Sequence, residues 1–361
     1  MKPKPQSPRG FTIVELMVVL LVLGLLLGLT VPIIAGTSCD SLKNVSIANL
    51  QRLAQAHAMY AADWNDRQFT LARDDISQFG VNLQQSCAAY NASGDCHPPV
   101  IFGEDCAGIT QGFFFGCGGD PGSCGSFFVV APINFVGPRQ GWGSFRLPNA
   151  RGFHEYVNGR FFDPTFYAPK DAAVYEEVEP FFDEPCEFVN VGIDLIFASS
   201  YALSPAAMYH PDVFRAESLG GWQDPFSFPE GFRSPTVSQA EYSAQKSRMI
   251  EHNWLQNPPA PCNPNFVGCV PYYFNHGYKS VPMTLFYDGH VAHLSTLEAT
   301  QSNNRMLCQT GQGLWSRDTP FGGNYSSGAP GGYFMGDSYD STSTSYHILT
   351  LNGIRGRDTL K

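Results

Sequence analysis

The feature that most constrains this chain is an apolar run near its N-terminus, "FTIVELMVVLLVLGLLLGLTVPII", from Phe11 to Ile34. As an α-helix rising about 1.5 Å per residue, the run would extend about 36 Å, which exceeds the ~30 Å hydrocarbon layer of a membrane. The preceding residues carry Lys2, Lys4 and Arg9 and no acid, so the positive-inside rule predicts a cytoplasmic N-terminus and an exported remainder. The sequence therefore predicts a single membrane span over residues 11–34.

Two other export signals fit this run less well. A secretory signal peptide has an apolar region of about 7–15 residues followed by an A-x-A-like cleavage site, whereas this run is longer and no such site follows. A lipoprotein signal would place Leu or a similar residue three positions before its cysteine, but Gly36 stands three positions before Cys39. A membrane anchor is the better interpretation.

The junction in front of the run carries a family resemblance. The stretch "RGFTIVELMVVLLVLGLL" resembles the class III signal of type IV prepilins and type II secretion pseudopilins: a short basic leader ending in Gly, then Phe, then an apolar run with Glu at its fifth position. In that family a prepilin peptidase cuts after the Gly and methylates the new amine, which implies cleavage after Gly10 and methylation of Phe11. Pro32 adds to the resemblance, because many pilins have a proline at that depth.

Glu15 is the one acid inside the apolar run. A charged side chain within a membrane costs about 2.5–3.5 kcal/mol or more, and cleavage before Phe11 would create a positive amine in the same layer. Glu15 can pair with that amine in its own helix or on a neighbouring subunit, and the second arrangement turns two desolvation penalties into one assembly contact. The alternative is that Glu15 reaches the lipid headgroups and has no role in assembly.

Residues 37–66 are predicted to continue the helix as an amphipathic segment, because apolar residues recur there at spacings of three and four. The predicted stripe consists of Leu42, Val45, Leu53, Ala56, Tyr60 and Trp64. His57 lies at the edge of this stripe and is interpreted as a hydrogen-bonded boundary histidine rather than a metal ligand.

After residue 66 the composition changes to a Gly-, Pro-, aromatic- and Cys-rich sequence with few charges, in which runs such as "SFFVVAPINFV" and "PMTLFY" favour strands. The predicted fold class is α+β: a long N-terminal helix, with an apolar transmembrane half and an amphipathic half, packed on a mainly β, loop-rich, disulfide-stapled globular head, as in pilins. The predicted segments are a leader at 1–10, a transmembrane or filament-core helix at 11–36, its amphipathic continuation at 37–66 and an exported head at 67–361.

The chain has 10 cysteines and no C-x-x-C, and an even number on the exported side indicates disulfides rather than zinc. A glycine-rich insertion at about 85–125 is predicted to be stapled by disulfides of Cys87, Cys96, Cys106, Cys117 and Cys124. Cys262 and Cys269 are the best local pair, and the remaining connectivity is open.

A second signature lies in "FNHGYKSVPMTLFYDGHVAHLS". Asp288-Gly289 joins two apolar-rich runs and favours a hairpin with a type I′ turn, in which both central residues have positive φ. The stretch resembles the C-terminal His-to-Asp-Gly motif of a large-headed subgroup of prepilin-like proteins, although eleven residues separate His276 from Asp288 where the subgroup has nine. His290 and His293 are three apart, so on a strand they would face opposite sides and hold no common metal.

The sequence contains no complete catalytic or cofactor-binding motif. "HEYVN" at His154 lacks the second His of a zinc protease motif, and no nucleotide-binding loop or G-x-S-x-G is present, so no catalytic residue is predicted and only a triad assembled in space stays open. No cofactor is expected except calcium, for which solvated loop acids are the competing interpretation. The candidate calcium ligands are Asp63, Asn65, Asp66, Asp337 and Asp340.

The charge balance argues against nucleic acid as a partner. The formal net charge is −10, and removal of the three basic leader residues would make it −13, whereas nucleic-acid binding needs a basic surface.

Taken with the resemblance, the sequence predicts a non-enzymatic structural subunit of a type IV pilus-like or type II secretion pseudopilus filament. Its expected partners are prepilin peptidase, other pilin or pseudopilin subunits and, through residues 11–34, the membrane. Its expected location is the bacterial cytoplasmic membrane with an exported head, and a periplasmic or cell-surface filament after assembly. The alternative is a single-span, membrane-anchored exported protein with a glycan-binding, adhesive or enzymatic head that does not polymerise.

Overall fold

The computed structural model describes residues 13–92, 100–113, 130–136, 141, 143–190, 199–251, 281–321 and 345–361, and the side chains of Glu15, residues 23–40, Asn91, Ala172 and Ala173 are not described. The chain divides into two units, Met1–Val45 and Ser46–Lys361.

Helix α1 runs from Ile13 to Asp63. From residue 46 onward, one of its faces is buried at the three- and four-residue spacing of a helix surface. This buried face consists of Ser46, Asn49, Leu50, Leu53, Ala56, His57 and Ala61. Leu53 and Ala56 belong to the predicted stripe and are buried, whereas Leu42, Val45 and Trp64 are exposed. The buried face is therefore rotated from the predicted one, because it includes the polar Ser46, Asn49 and His57.

Among the residues that the structure describes, two small antiparallel sheets follow α1. Strands β1 (Val100–Glu104) and β2 (Thr110–Phe113) form a hairpin. Strands β3 (Tyr201–Leu203), β4 (Ser247–Glu251), β5 (Met283–Phe286) and β6 (Val291–His293) form a four-stranded sheet in the order β3-β4-β5-β6. Every residue of β3, β4 and β5 is buried, so this sheet lies at the centre of the core.

Helices supply more of the described head than strands do. The α-helices after α1 are α2 (Leu83–Ala92), α3 (Arg151–His154), α4 (Ala172–Val178) and α5 (Thr296–Thr310). Short 3₁₀ helices occupy Ile76–Gln78, Ser144–Arg146, Pro164–Phe166, Glu179–Phe181, Pro205–Met208, Pro211–Phe214, Glu217–Leu219, Pro225–Ser227, Val237–Gln239 and Gly353–Arg355.

Proline explains many of these short helices. Its fixed φ suits the first helical position, and it cannot donate to a strand ladder. At Asp163 and Asp224 the acid also caps the turn, since its side chain accepts from the backbone N–H two residues on. The described head is thus mixed helix and sheet, and the prediction of a mainly β head is wrong for this part of the chain.

The strand predictions have mixed outcomes. "PMTLFY" contains β5, but residues 130–136 of "SFFVVAPINFV" form turns and loop. The β5–β6 hairpin is present, with Met283 opposite His293. Its turn is not type I′: only Gly289 has positive φ, at 90°. Phe286 N donates to His290 O at 3.0 Å and Gly289 N donates to Phe286 O at 3.0 Å, which is a three-residue loop ending in a left-handed glycine.

One disulfide joins Cys106 to Cys186, with a Cα–Cα distance of 5.3 Å. Cys87 is also disulfide-bonded. The predicted insertion is therefore tied to a residue 80 positions further along the chain, outside the cysteine cluster. Cys308 is free and exposed. Cys96, Cys117, Cys124, Cys262 and Cys269 lie outside the described residues, so the Cys262–Cys269 pair stays a prediction.

Removing the Cys106–Cys186 disulfide should lower the free energy of unfolding. The bridge closes a loop with a sequence separation of 80, for which the chain-entropy relation gives about 4–5 kcal/mol. We expect a loss of this order in the Cys106→Ser/Cys186→Ser variant, measured by urea denaturation of the full chain in detergent. Cys308→Ser is the matched control and should change little. Peptide mapping that recovered Cys106 and Cys186 as free thiols from the wild type would contradict the prediction.

Candidate functional site

The structure does not describe the side chains of the residues predicted to act in processing and assembly. Gly10 and Phe11 precede the first described residue, and the side chains of Glu15 and Pro32 are not described. The roles predicted for these four residues therefore stay predictions.

The first described turns of α1 expose a continuous set of large apolar side chains. They are Ile13, Val14, Leu16, Met17, Val18, Val19, Leu20, Leu21 and Val22, with exposed fractions from 44% to 78%. Exposed apolar surface of this continuity marks contact with another protein or with lipid. When only the described residues are searched, no helix reaches the length and hydrophobicity needed to cross a membrane.

Farther along α1, Ser46 makes the first polar connection to the sheet. Its Oγ lies 2.8 Å from Tyr201 Oη on β3 and donates to Glu251 Oε1 on β4. The other carboxyl oxygen of Glu251 accepts from the backbone N of Met283 on β5 at 2.8 Å. One buried carboxyl group thus connects α1 to β4 and β5, and through Ser46 to β3.

Glu251 is an acid with an unusual titration. Burial raises the pKa of its carboxyl group from 4.5 to about 7, against the hydrogen bonds from Ser46 and Met283, which lower it. Lys170 lowers this pKa and Asp171 raises it through smaller electrostatic effects. Burial therefore favours the protonated form of this carboxyl group.

The next turns of α1 are held by Asn49 and His57. Asn49 Nδ2 donates to the carbonyl oxygens of Pro164 at 3.0 Å and Tyr167 at 3.2 Å. His57 is fully buried, with Nε2 3.3 Å from Met249 Sδ, and burial together with Arg248 holds its pKa well below the ordinary value. It is therefore a neutral core histidine, and the prediction of a boundary position is wrong.

Aromatic rings close the end of α1. The ring centroid of Tyr60 lies 5.6 Å from that of Trp64, 5.3 Å from that of Phe69 and 5.5 Å from that of Tyr156. Trp64 Nε1 donates to Tyr156 Oη at 3.1 Å. Such pairs add to the stability gained from apolar burial, so the last turns of α1 are fixed from two sides.

A second buried polar cluster joins β4 to the C-terminal segment. Lys246 Nζ donates to Asp358 Oδ2 at 2.9 Å, to Ser204 Oγ at 2.9 Å and to Thr350 Oγ1 at 2.8 Å. The exposed fraction is 0% for Lys246 and 1% for Asp358. Burial alone would raise the pKa of Asp358, but Lys246 and the surrounding hydrogen bonds hold it below the ordinary range. The contact with Lys246 therefore favours the charged carboxylate of Asp358, while burial lowers the pKa of the Lys246 ammonium group.

Ser247, His347 and Asp358 meet in this cluster, yet they do not form a catalytic triad. Ser247 Oγ lies 2.7 Å from His347 Nδ1 and 2.5 Å from Asp358 Oδ2, and the other ring nitrogen of His347 lies 3.1 Å from the carbonyl oxygen of Ala202. A triad needs the acid on one ring nitrogen and the nucleophile on the other. Burial and Lys246 lower the pKa of His347 to about 3, so its ring is neutral. The arrangement is that of a structural network.

The histidines of the hairpin also take local roles. His290 stacks on Phe286 with ring centroids 4.3 Å apart and pairs with Asp288 at 2.6 Å, while the exposed His293 has Nδ1 3.3 Å from the carbonyl oxygen of Val281. His154 Nε2 lies 2.9 Å from the carbonyl oxygen of Phe102. These contacts give each ring a partner within the protein.

Within the part of the chain that the structure describes, no group of three or more His, Cys, Asp or Glu residues is placed to hold a metal ion. Of the candidate calcium ligands, Asp66 accepts from the backbone N of Ser238 at 3.0 Å. His276, Asp337 and Asp340 lie outside the described residues, so calcium at the two C-terminal acids stays a prediction.

The sequence offered no signal for most of this site. Ser46, Lys246, Glu251 and Asp358 belong to no local motif, and the partners described above lie 32 to 205 positions away in the chain. The hydrophobic periodicity of α1 predicted a buried face, but it pointed to apolar residues and so passed over Ser46 and Asn49.

Comparison with known proteins identifies the N-terminus. Residues 6–31 match the family model described as the prokaryotic N-terminal methylation motif, which is the prepilin-type cleavage and methylation signal. The resemblance to prepilins and pseudopilins at the N-terminus is thereby confirmed. Searches of curated proteins and of solved structures found no match to the chain.

Replacing Glu251 with Gln should change how stability depends on pH. Because the pKa is about 7 in the folded chain and 4.5 as the reference value, the folded state keeps a proton that the unfolded state releases between these pH values. The free energy of unfolding of the wild type, relative to Glu251→Gln, should therefore fall as pH rises from about 4.5 to 8, by up to about 3 kcal/mol. Urea denaturation of both full-length proteins at several pH values between 4.5 and 8 measures this difference in stability.

The matched control for this prediction is Glu177→Gln on α4, where the side chain is exposed. Its stability profile should run parallel to that of the wild type. A parallel profile for Glu251→Gln as well would contradict the assignment of a raised pKa to Glu251.

Proposed function

We propose that this protein is a structural, non-enzymatic subunit of a type IV pilus-like or type II secretion pseudopilus filament. The observation that carries the proposal is the N-terminal methylation motif at residues 6–31. The exposed apolar side chains of residues 13, 14 and 16–22, inside that motif, support it because they need a covering surface of protein or lipid. The motif implies processing by prepilin peptidase and assembly with other pilins or pseudopilins.

Before assembly, residues 11–34 anchor the chain in the bacterial cytoplasmic membrane as a single span with the head exported. The apolar run and its basic leader support this location. Assembly then moves the same apolar surface from lipid into the core of a periplasmic or cell-surface filament. Head-to-tail contacts between identical subunits need not close, so a filament is their natural product.

The proposed assembly contact is a charge pair between Glu15 and the methylated amine of Phe11 on a neighbouring subunit. Each charge alone is costly in an apolar layer, and pairing removes part of both penalties. The resemblance to pilins also implies a role in assembly for Pro32, because many pilins have a proline at this depth of the apolar run.

The packing of α1 after residue 46 supports a role in transmitting force. Ser46, Asn49 and His57 are buried and contact β3, β4 and the segments at Pro164 and Phe153. A helix held at several levels resists being pulled from its head. The alternative function is a single-span anchored exported protein with a glycan-binding, adhesive or enzymatic head that does not polymerise.

Processing is the first test of the proposal. We expect the mature chain to begin at Phe11 with a methylated amine, as measured by intact mass and N-terminal sequencing of the protein from its membrane fraction. Replacing Gly10 with Val should leave the leader attached, because cleavage follows this glycine in the prepilin signal, whereas Ser7→Val in the same leader serves as control. A mature chain that kept Met1, or that began near Thr37 or at a lipidated Cys39, would contradict the proposal.

Assembly is the second test, and it uses Glu15. Glu15→Ala should still insert and be cut, because the change makes the span more apolar and leaves Gly10 intact. Filament yield should fall sharply, since a buried amine without its partner costs about 3–5 kcal/mol at each subunit contact. The filament yield of Glu15→Gln should lie between the yields of the wild type and Glu15→Ala. The measurement compares the membrane and sheared-filament fractions.

Glu177→Ala is the control for this experiment, because it removes an exposed acid of the head. Normal filaments from Glu15→Ala would contradict the charge pair while leaving the filament proposal intact. A wild-type chain that is processed, stays in the membrane and yields no filament would favour the anchored alternative.

A further inference from the structure

A cleft of about 550 Å³ lies between the C-terminal end of α5, the 3₁₀ helix Pro211–Phe214 and the segment 351–357. Three arginines line it, Arg215, Arg355 and Arg357, and each of them is partly exposed. The volume lies within the range of about 300–1,000 Å³ that is typical of binding clefts. We call it the arginine cleft.

No carboxylate neutralises these three guanidinium groups among the described residues. Arg215 Nε donates to a backbone carbonyl oxygen at 3.4 Å. Arg357 Nη1 donates to Gln245 Oε1 at 3.4 Å, and its guanidinium carbon lies 4.5 Å from the centroid of the Tyr242 ring. The guanidinium group of Arg355 makes no hydrogen bond or ion pair with any residue that the structure describes. Because these partners are neutral, the three positive charges stay available to an anionic group from outside the chain.

The cleft also contains two acids, which leave it with a positive balance. Asp212 and Glu241 are part of the lining, and within the described residues neither forms an ion pair with one of the three arginines. Asp212 Oδ2 instead lies 3.8 Å from His210 Nδ1. Three positive and two negative side chains give the lining a formal charge of +1, whereas the whole chain has −10. The arginine cleft is therefore a positive site on an acidic protein.

The same head carries a turn of the opposite charge directly after α4. Glu179, Asp183 and Glu184 are exposed, and their carboxylate groups make no hydrogen bond or ion pair with any described residue. The sequence from 171 to 190 contains no Lys or Arg. We call these three residues the acidic turn. Like charges so close together repel one another, and a positive partner would relieve this repulsion.

The backbone of the acidic turn is fixed from two sides. Arg160 Nη1 donates to the carbonyl oxygens of Phe182 at 2.7 Å and Glu184 at 3.0 Å. The Cys106–Cys186 disulfide holds the chain two residues further on. A turn that is already ordered loses little conformational entropy when it binds a partner.

We propose that the acidic turn of one copy binds in the arginine cleft of a neighbouring copy, with its carboxylates paired to the guanidinium groups. The turn and the cleft form no ion pair with each other within one chain among the described residues, so both are available to another copy. The contact joins two different surfaces, and such heterologous contacts repeat without closing. The inference rests on the filament function proposed above and assigns it a contact between heads.

The net charge of the chain favours a second copy as the partner. Copies with a formal net charge of −10 repel one another as they approach, so heads that pack side by side in a filament need a local contact between opposite charges. Charge complementarity of this kind contributes mainly to specificity and to the rate of association. Because salt screens exposed charges, the affinity between heads should fall as ionic strength rises.

Reversal of charge on each surface tests the contact. The cleft variant is Arg355→Glu/Arg357→Glu, and the turn variant is Asp183→Lys/Glu184→Lys. Binding is measured at low ionic strength by titrating a fluorescently labelled full chain in detergent with unlabelled full chain. Each variant should bind itself at least about tenfold more weakly than the wild type does. A mixture of the two variants should recover the wild-type affinity, because the reversed cleft then meets the reversed turn.

Two single variants separate the contact from effects on folding and on net charge. Arg355→Glu removes a side chain without a described partner, so it should keep the wild-type free energy of unfolding and still weaken self-association. Arg305→Glu makes the same change at an exposed arginine of α5 outside the cleft lining, and it should associate as the wild type does.

Three results would overturn the proposed contact: no self-association of the wild type, wild-type self-association of either double variant, or no recovery of affinity in the mixture. Filament yield in cells separates this failure from that of the filament function. Normal filaments from either double variant would overturn the contact between heads alone, whereas a processed wild-type chain that yields no filament would overturn the filament function together with it.

Discussion

The described head depends on the burial of one face of α1 against the central sheet. That face carries apolar residues such as Leu50 and Leu53, but its polar residues decide how the helix sits. Ser46 is hydrogen-bonded to Glu251, and Asn49 to the backbone at Pro164. Apolar packing alone tolerates rotation and sliding of a helix, whereas a buried hydrogen bond is lost on either movement. These contacts therefore fix both the rotation and the axial position of this part of α1.

The second constraint is a small number of buried charges in a chain that has few charges overall. Lys246, which directly precedes β4, pairs with Asp358, and Arg248 and Glu251 lie on β4 itself. A buried ion pair contributes little net stability, because desolvation offsets most of the attraction, but breaking it is costly. The Lys246–Asp358 pair thus holds the C-terminal segment against the sheet. Ser247 and His347, which contact each other beside this pair, are fully buried.

The N-terminal signal and the packed head share one element, helix α1. The methylation motif includes the exposed apolar side chains of the first described turns of α1, and the buried face after residue 46 joins the later part of this helix to the four-stranded sheet. A filament subunit of the kind proposed above would need both, because contacts made by its apolar segment would have to carry load into the head.

The sequence by itself determined the N-terminal signal, the amphipathic character of the segment after it, the β5–β6 hairpin and the presence of disulfides. Each of these follows from neighbouring residues: Gly10-Phe11 with its apolar run, three- and four-residue spacing, Asp288-Gly289, and the number of cysteines. The tertiary structure alone decided the pairing of Cys106 with Cys186, the burial of His57, the three-residue hairpin loop and the Glu251 and Lys246 clusters. Those features join residues far apart in the chain, and the free energy of burying a polar group depends on partners that no local pattern specifies.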